Sequence, residues 1–120
     1  MVDLDAALDR LGDDRELLES VVEMVLESCP SLIAKVRAAV LDRDAKSLEF
    51  AAHTLRGLIA NFGAATTCEL AFQLELMGKE GNLAESEAVT TALEVELKRV
   101  ISKLTSLVGE YVEDNAVLVS

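Results

Sequence analysis

Apolar residues recur every three or four positions through most of this chain, a spacing that places them on one face of a helix. The predicted helices cover residues 3–11, about 14–27, 30–41, 44–62, 65–77 and about 89–111. Pro30 is expected to begin a new helix because proline fits a first turn, and residues 78–82 are expected to form a glycine-bearing turn. The pattern therefore predicts a chain made of helices joined by short connections.

One apolar stripe runs along the predicted helix 44–62, which Asp44 is placed to cap and Gly63 to end. Its members are spaced alternately by four and three residues: Leu48, Ala52, Leu55, Ile59 and Phe62. His53, the only histidine in 120 residues, lies off this stripe. Its imidazole is therefore predicted to face solvent.

Gly57 lies one helical turn after His53 and points in the same direction. Glycine inside a helix costs roughly 0.5–1 kcal/mol relative to alanine, so its presence calls for a reason. The missing side chain would leave the imidazole open to a large partner. Lys46 lies two turns before His53 on the same side, and Arg56 lies nearer the edge of the stripe.

The composition favours an all-α fold, since hydrophobic residues make up 51% of the chain and aromatic residues only 3%. A chain of 120 residues can form one core but not two. We expect a single helical domain over residues 1–113 and a flexible tail over residues 114–120, where the apolar pattern decays. Cys29 and Cys68 show no C-x-x-C spacing and are expected to be reduced thiols.

The net charge of −11 argues against nucleic-acid binding, which requires clusters of lysine and arginine. Residues 30–63 are the exception, with five basic and three acidic groups. This mildly positive band carries His53 and suits contact with an anionic pocket, although chance in a solvated surface is the alternative. The acidic N-terminus and the absence of a long apolar run predict a cytoplasmic protein without a membrane segment.

A lone histidine limits the chemistry that is available. No second histidine exists, and no serine or cysteine stands at a spacing typical of a catalytic triad, so neither a triad nor a metal site is predicted. Paired E-x-x-H motifs are absent, which excludes a di-metal bundle of the ferritin type. His53 is then either an ordinary surface residue or itself a nucleophile.

The segment His53-Thr54-Leu55-Arg56-Gly57, followed by Asn61-Phe62-Gly63-Ala64, resembles the motif of the histidine phosphotransfer (HPt) domain family. That motif is H-x-L-K/R-G with a second glycine six residues further on. The resemblance implies an antiparallel four-helix bundle with short N-terminal capping helices and a role in a two-component phosphorelay. Arg56 stands where lysine is more usual, and Leu58 stands where a small residue usually follows the glycine.

By this resemblance, His53 would accept a phosphoryl group from an aspartate of one receiver domain and pass it to another. The second ring nitrogen of such a histidine needs an acceptor, and Glu75 resembles the family position that often carries glutamine or glutamate. A solvent-facing glutamate is the alternative. Arg56, with Lys46 and Lys79, would offset the charge of the phosphoryl oxygens.

The predicted partners are receiver domains of response regulators or of a hybrid histidine kinase, and the chain is expected to be monomeric. The positions predicted to contact a partner are Phe50, Leu58, Ala60 and Asn61. Phe50 could instead tuck beneath the N-terminal segment, the alternative that we favour. No P-loop is present, so we expect a phosphocarrier without autonomous kinase activity and without a cofactor, the Mg²⁺ belonging to the partner receiver. The alternative function is a docking module of the same fold that binds receivers or other helices without phosphotransfer.

Overall fold

The computed structural model describes residues 15–60, 62 and 64–119, and the side chains of 16–60, 62 and 64–106. These residues form four α-helices and, within the described ranges, no strand: α1 (Arg15–Asp42), α2 (Ala45–Ala60), α3 (Ala65–Glu80) and α4 (Ser86–Val119). Short connections make consecutive helices antiparallel. Helix α2 packs against α1 and α3, and α4 packs against the same two helices. The predicted bundle is confirmed, whereas its N-terminal capping helices lie outside the described residues.

The core is aliphatic and runs along the centre of the bundle, as the composition predicted. All five members of the stripe predicted along residues 44–62 are fully buried, although α2 ends at Ala60, earlier than predicted, and Phe62 lies in the turn after it. The other large buried side chains come from the remaining three helices: Leu18, Val22, Val25, Leu32, Val36, Leu74, Leu93, Leu97, Val100 and Leu104. Because the stripe of α2 faces this core, the opposite face of α2 is held towards solvent.

Helix α1 corrects the prediction of two helices separated near Pro30. It is a single helix of 28 residues with Pro30 inside it. An internal proline removes one backbone hydrogen bond and costs about 3 kcal/mol. The buried positions nevertheless continue at helical spacing across it, through Val25, Cys29, Leu32 and Val36. Packing of this continuous stripe against the bundle outweighs the local preference of proline for a first turn.

Asp44 caps helix α2, as the sequence predicted. Its carboxylate accepts hydrogen bonds from the Ser47 backbone N–H at 3.2 Å and from the Ser47 hydroxyl at 2.7 Å. Both bonds stabilise the ionised carboxylate and lower the pKa of Asp44. The cap fixes where α2 begins and hence the direction in which His53 points.

The end of α3 differs from the prediction, which placed it near residue 77. The helix continues to Glu80 and ends at Gly81, whose φ of 72° lies in the left-handed region. Gly78 is therefore a helical residue, buried against α2. A Cβ atom at Gly78 would lie 2.6 Å from both the Ala45 carbonyl oxygen and the Glu49 backbone nitrogen. Only glycine lets the two helices approach this closely.

Helix α4 is longer than predicted, and its buried residues Leu93, Leu97, Val100 and Leu104 follow the helical period. It continues to Val119, so residues 114–119 are helical where a loose tail was expected. Residues 110–119 contain neither proline nor glycine, so no local signal ends the helix. The domain boundary at residue 113 stays a prediction. No helix in the described part of the chain is both long and apolar enough to cross a membrane.

Candidate functional site

His53 projects from the third turn of α2 on the side away from the core. Its side chain is 62% exposed, whereas the neighbouring stripe positions Ala52 and Leu55 are fully buried. The exposure follows from the helical period, because His53 lies between two buried positions rather than in line with them. The imidazole is thus fixed at its base by a rigid helix and open to solvent at its tip.

Glu75 of α3 contacts the inner nitrogen of this imidazole. Its Oε1 lies 2.7 Å from His53 Nδ1, and its side chain is only 16% exposed. An ionised carboxylate can only accept a hydrogen bond, so the proton of this contact sits on Nδ1. The tautomer that carries Nδ1–H leaves the lone pair of Nε2 free, and Nε2 is the nitrogen available to act as a nucleophile.

Arg56 contacts the other oxygen of the same carboxylate. Its Nε donates to Glu75 Oε2 at 2.9 Å, and its Nη2 lies 3.4 Å from His53 Nδ1. When Nδ1 is protonated, both atoms of the 3.4 Å contact are donors. Arg56 and His53 are then adjacent but not hydrogen-bonded to each other. Glu75 therefore joins His53 and Arg56 in one cluster between α2 and α3.

The two contacts also set the ionisation of Glu75. Partial burial alone would raise the pKa of this carboxyl, but the hydrogen bonds from Arg56 and His53 and the charge of Arg56 outweigh it. The net effect is a pKa below the usual range for glutamate. Glu75 is consequently ionised at neutral pH, as the assignment of the His53 tautomer requires.

Phe72 is a further member of the cluster, one that the sequence pattern did not single out. The Cζ atom of Arg56 lies 5.1 Å from the centre of the Phe72 ring, a distance typical of a cation–π contact. The ring lies one turn before Glu75 on the same face of α3. That i, i+3 spacing was readable in the sequence once Glu75 had been selected.

The remaining positions predicted near His53 are open. A Cβ atom built on Gly57 would meet no atom within 4 Å, so the space beside the imidazole is empty. Lys46 and Lys79 are exposed, and the ammonium group of neither forms a hydrogen bond or ion pair with a described side chain. Their predicted charge effect could act only over a longer distance.

The predicted docking positions are arranged around this opening. Phe50, one turn before His53, is 74% exposed, and Ala60 is exposed at the end of α2. Leu58 is half-buried and packs against the core, so it does not cover the imidazole. Asn61 lies outside the described residues, as does the N-terminal segment under which Phe50 was expected to tuck.

No metal-binding arrangement accompanies the cluster. Among the side chains that the structure describes, no three histidine, cysteine, aspartate or glutamate residues are grouped closely enough to hold a metal ion. The cluster can therefore offer three things: a nucleophilic nitrogen, a carboxylate that orients it, and an adjacent guanidinium.

Replacing Glu75 with alanine should shift the His53 imidazole away from the Nδ1–H tautomer, because Glu75 is the only described acceptor bonded to that nitrogen. Glu75→Gln keeps an oxygen acceptor and should retain more of the native tautomer. The ¹⁵N chemical shifts of the ring, measured where the imidazole is neutral, report the ratio. An unchanged ratio in Glu75→Ala would show that Glu75 does not control the tautomer.

Comparison with known proteins identifies the family and the fold. The sequence model of the Hpt domain matches residues 20–103, and no curated protein matches the chain. The fold is similar to that of histidine-containing phosphotransfer protein B (HptB) from Pseudomonas aeruginosa PAO1, with a TM-score of 0.84, 19% identity, and coverage of 92% of this chain and 96% of that one. It is also similar to the HPT domain of a sensor hybrid histidine kinase from Shewanella, with a TM-score of 0.80, 23% identity, and coverage of 91% and 94%.

Proposed function

Since the chain belongs to the Hpt domain family, we propose that His53 carries a phosphoryl group between aspartates of receiver domains. The observation that supports this most directly is the state of its imidazole. Nδ1 donates a hydrogen bond to the largely buried carboxylate of Glu75, while the ring itself is exposed to solvent. A nucleophile that must enter the active site of another protein needs this combination of fixed orientation and open access.

The proposed transfer begins at Nε2. Its lone pair attacks the phosphorus of an aspartyl phosphate on the donor receiver, the N–P bond forms, and the P–O bond breaks to release the aspartate carboxylate. The ring then carries a positive charge shared with Nδ1–H. Glu75, which accepts the hydrogen bond from Nδ1, stabilises that charge as it develops. Transfer to the second receiver reverses these steps.

Arg56 is proposed to stabilise the phosphoryl oxygens. Its guanidinium lies beside the imidazole, and the Arg56 side chain is 36% exposed, so part of it can face an incoming anion. The role fits phosphoryl transfer, which depends on positioning and charge stabilisation more than on covalent chemistry by the protein. The Mg²⁺ that assists such reactions is assigned to the receiver, and no cofactor is proposed for this chain.

The partners are proposed to be receiver domains of response regulators or of a hybrid histidine kinase. Phe50 is the exposed apolar residue nearest His53 in sequence and is the proposed anchor for docking. Leu58 and Ala60, at the other end of the same helix, and Asn61, which follows in sequence, are the other proposed contacts. The protein is proposed to work as a cytoplasmic monomer without autonomous kinase activity.

The rival function, docking without phosphotransfer, would be favoured if Phe50 and Leu58 blocked the approach to His53. The 62% exposure of the imidazole and the packing of Leu58 into the core favour the carrier instead. The direct test is to incubate the chain with a panel of ³²P-labelled receivers and then add unlabelled receivers. Acid-labile label should move onto the chain and then off it. Binding to receivers without any label on the chain would support the rival.

Replacing Gly57 with glutamine should slow transfer from a receiver, because a long side chain would occupy the empty space one turn from His53. Gly57→Ala is the matched control: it adds only a Cβ to open space and should keep most of the rate. Single-turnover transfer measured with both variants separates access from helix stability. Equal rates for glutamine, alanine and glycine would mean that this surface is not part of the approach.

A further inference from the structure

Arg56 is held by two residues of α3 rather than by one. Glu75 accepts its Nε–H, and the ring of Phe72 lies beneath its guanidinium carbon at 5.1 Å. Phe72 is itself 38% exposed, although it is a large apolar side chain. Phe72 is not one of the buried core side chains, so its ring lies at the surface of α3, where it contacts Arg56.

The contact with Glu75 alone does not fix the guanidinium. A single hydrogen bond through Nε allows a long arginine side chain to pivot about that bond. The carboxylate also attracts the cation towards α3 and away from an anion arriving at His53. The contact with the Phe72 ring restricts this pivot, and in the position that results Nη2 lies 3.4 Å from His53 Nδ1.

The same contact accounts for arginine at position 56. A guanidinium is planar, stacks on an aromatic face and can bond a carboxylate through one nitrogen while presenting others. A lysine ammonium is a single point charge, so a contact with Glu75 would draw it away from the incoming phosphoryl group. Phe72 thus complements arginine in particular, in the position where this chain departs from the lysine that is more usual in its family motif.

We propose that Phe72 is a positioning residue for phosphoryl transfer, holding the Arg56 guanidinium beside His53 before the phosphoryl group arrives. This inference rests on the proposed function of His53. Phe72 does not touch the reacting atoms and acts through Arg56. A cation fixed in advance stabilises developing charge better than one that must be ordered during the reaction.

The test uses the complete chain and two phosphoryl donors. Phosphoramidate is small and has no docking surface: Nε2 attacks its phosphorus, the N–P bond to His53 forms, and ammonia leaves. A ³²P-labelled receiver that labels the wild-type chain is the second donor. Phe72→Leu should slow labelling by either donor about two- to five-fold, the effect expected for loss of one partly exposed cation–π contact. Phe72→Tyr keeps the ring and should retain the wild-type rate.

The decisive comparison repeats Phe72→Leu in an Arg56→Ala background. If Phe72 acts through Arg56, the second substitution should change the rate no further. Val95→Ala is the control for surface truncation, because it shortens an apolar side chain on α4 that is 48% exposed and belongs to neither α2 nor α3. The Nε–H signal of Arg56 should also exchange faster with water in Phe72→Leu than in the wild type.

Equal slowing in the presence and absence of Arg56 would overturn the inference, because Phe72 would then support the fold or touch the donor directly. An unchanged rate and an unchanged Arg56 signal in Phe72→Leu would overturn it too. Failure of the proposed function gives a different result: receivers would not label the wild-type chain, whereas phosphoramidate would, and the coupling of Phe72 to Arg56 would still be measured with that donor. If phosphoramidate also failed to label the wild type, no reaction would exist for Phe72 to support.

Discussion

His53→Gln should abolish phosphoryl labelling of the chain by any receiver while leaving the fold intact. No other histidine is present, and glutamine offers no nucleophilic nitrogen. The fold should survive because the imidazole is largely exposed and contributes little to the core. Thermal unfolding and far-ultraviolet circular dichroism check the fold, and ³²P incorporation checks the carrier role.

The control for this experiment is Lys46→Gln, which changes an exposed side chain two turns away on the same helix face. It should be labelled, with at most a modest reduction in rate, since an exposed cation interacts weakly through water. The chemistry of the label is equally informative. A phosphohistidine bond is labile in acid and stable in alkali, so alkali-stable, acid-labile label on His53→Gln would contradict the assignment of His53.

The face of α2 that carries His53 could be predicted from the sequence alone. In a helix, the spacing between residues determines the direction in which each side chain points. Five apolar residues at intervals of four and three therefore define which face of the helix packs against the core. The burial of Leu48 and Phe62 at either end and the exposure of His53 between them follow from the same rule. Asp44 could be predicted for a similar reason, because a cap depends only on residues next to it.

Helix boundaries were less predictable wherever a distant contact opposes a local signal. Pro30 reads locally as a first turn, and Gly78 reads as the start of a loop. In the bundle, α1 continues through Pro30 because the buried stripe on either side of it packs against the other helices. Gly78 lies within α3, at a point where α2 approaches closely. In both cases the helix that supplies the packing contact is distant in sequence, so local signals around Pro30 and Gly78 do not show it.

The residues of the site differ in the same way in how far the sequence predicts them. Glu75 could be selected because the family motif suggests an acceptor on the following helix, and the structure places it 2.7 Å from the imidazole. Phe72 was not selected: its spacing from Glu75 places it on the same face of α3, but its contact with Arg56 depends on the register between α2 and α3. That register is set by the close approach at Gly78, which lies one turn beyond Glu75 on α3.

Gly78→Ala should strongly destabilise the protein, although it adds only one carbon atom. The new Cβ would lie 2.6 Å from two backbone atoms of α2, and backbone cannot move aside as a flexible side chain can. Relief requires α3 to shift away from α2, at a cost of about 2–3 kcal/mol, near the upper end for overpacking a core. Urea unfolding should show a lower midpoint with an unchanged slope.

Gly57→Ala provides the matched comparison, since it makes the same chemical change at another helical position. Apart from the backbone of α2 itself, the new Cβ would have no atom within 4 Å. It should stabilise the chain by about 0.5–1 kcal/mol, because alanine restricts the unfolded backbone more than glycine does. The two substitutions should therefore move the urea midpoint in opposite directions. Equal midpoints would mean that α2 and α3 are further apart in solution than in the structure. The shift of α3 that Gly78→Ala requires would also move Glu75 away from His53. Gly78→Ala should therefore weaken the Nδ1–H preference of His53, whereas Gly57→Ala should leave it unchanged.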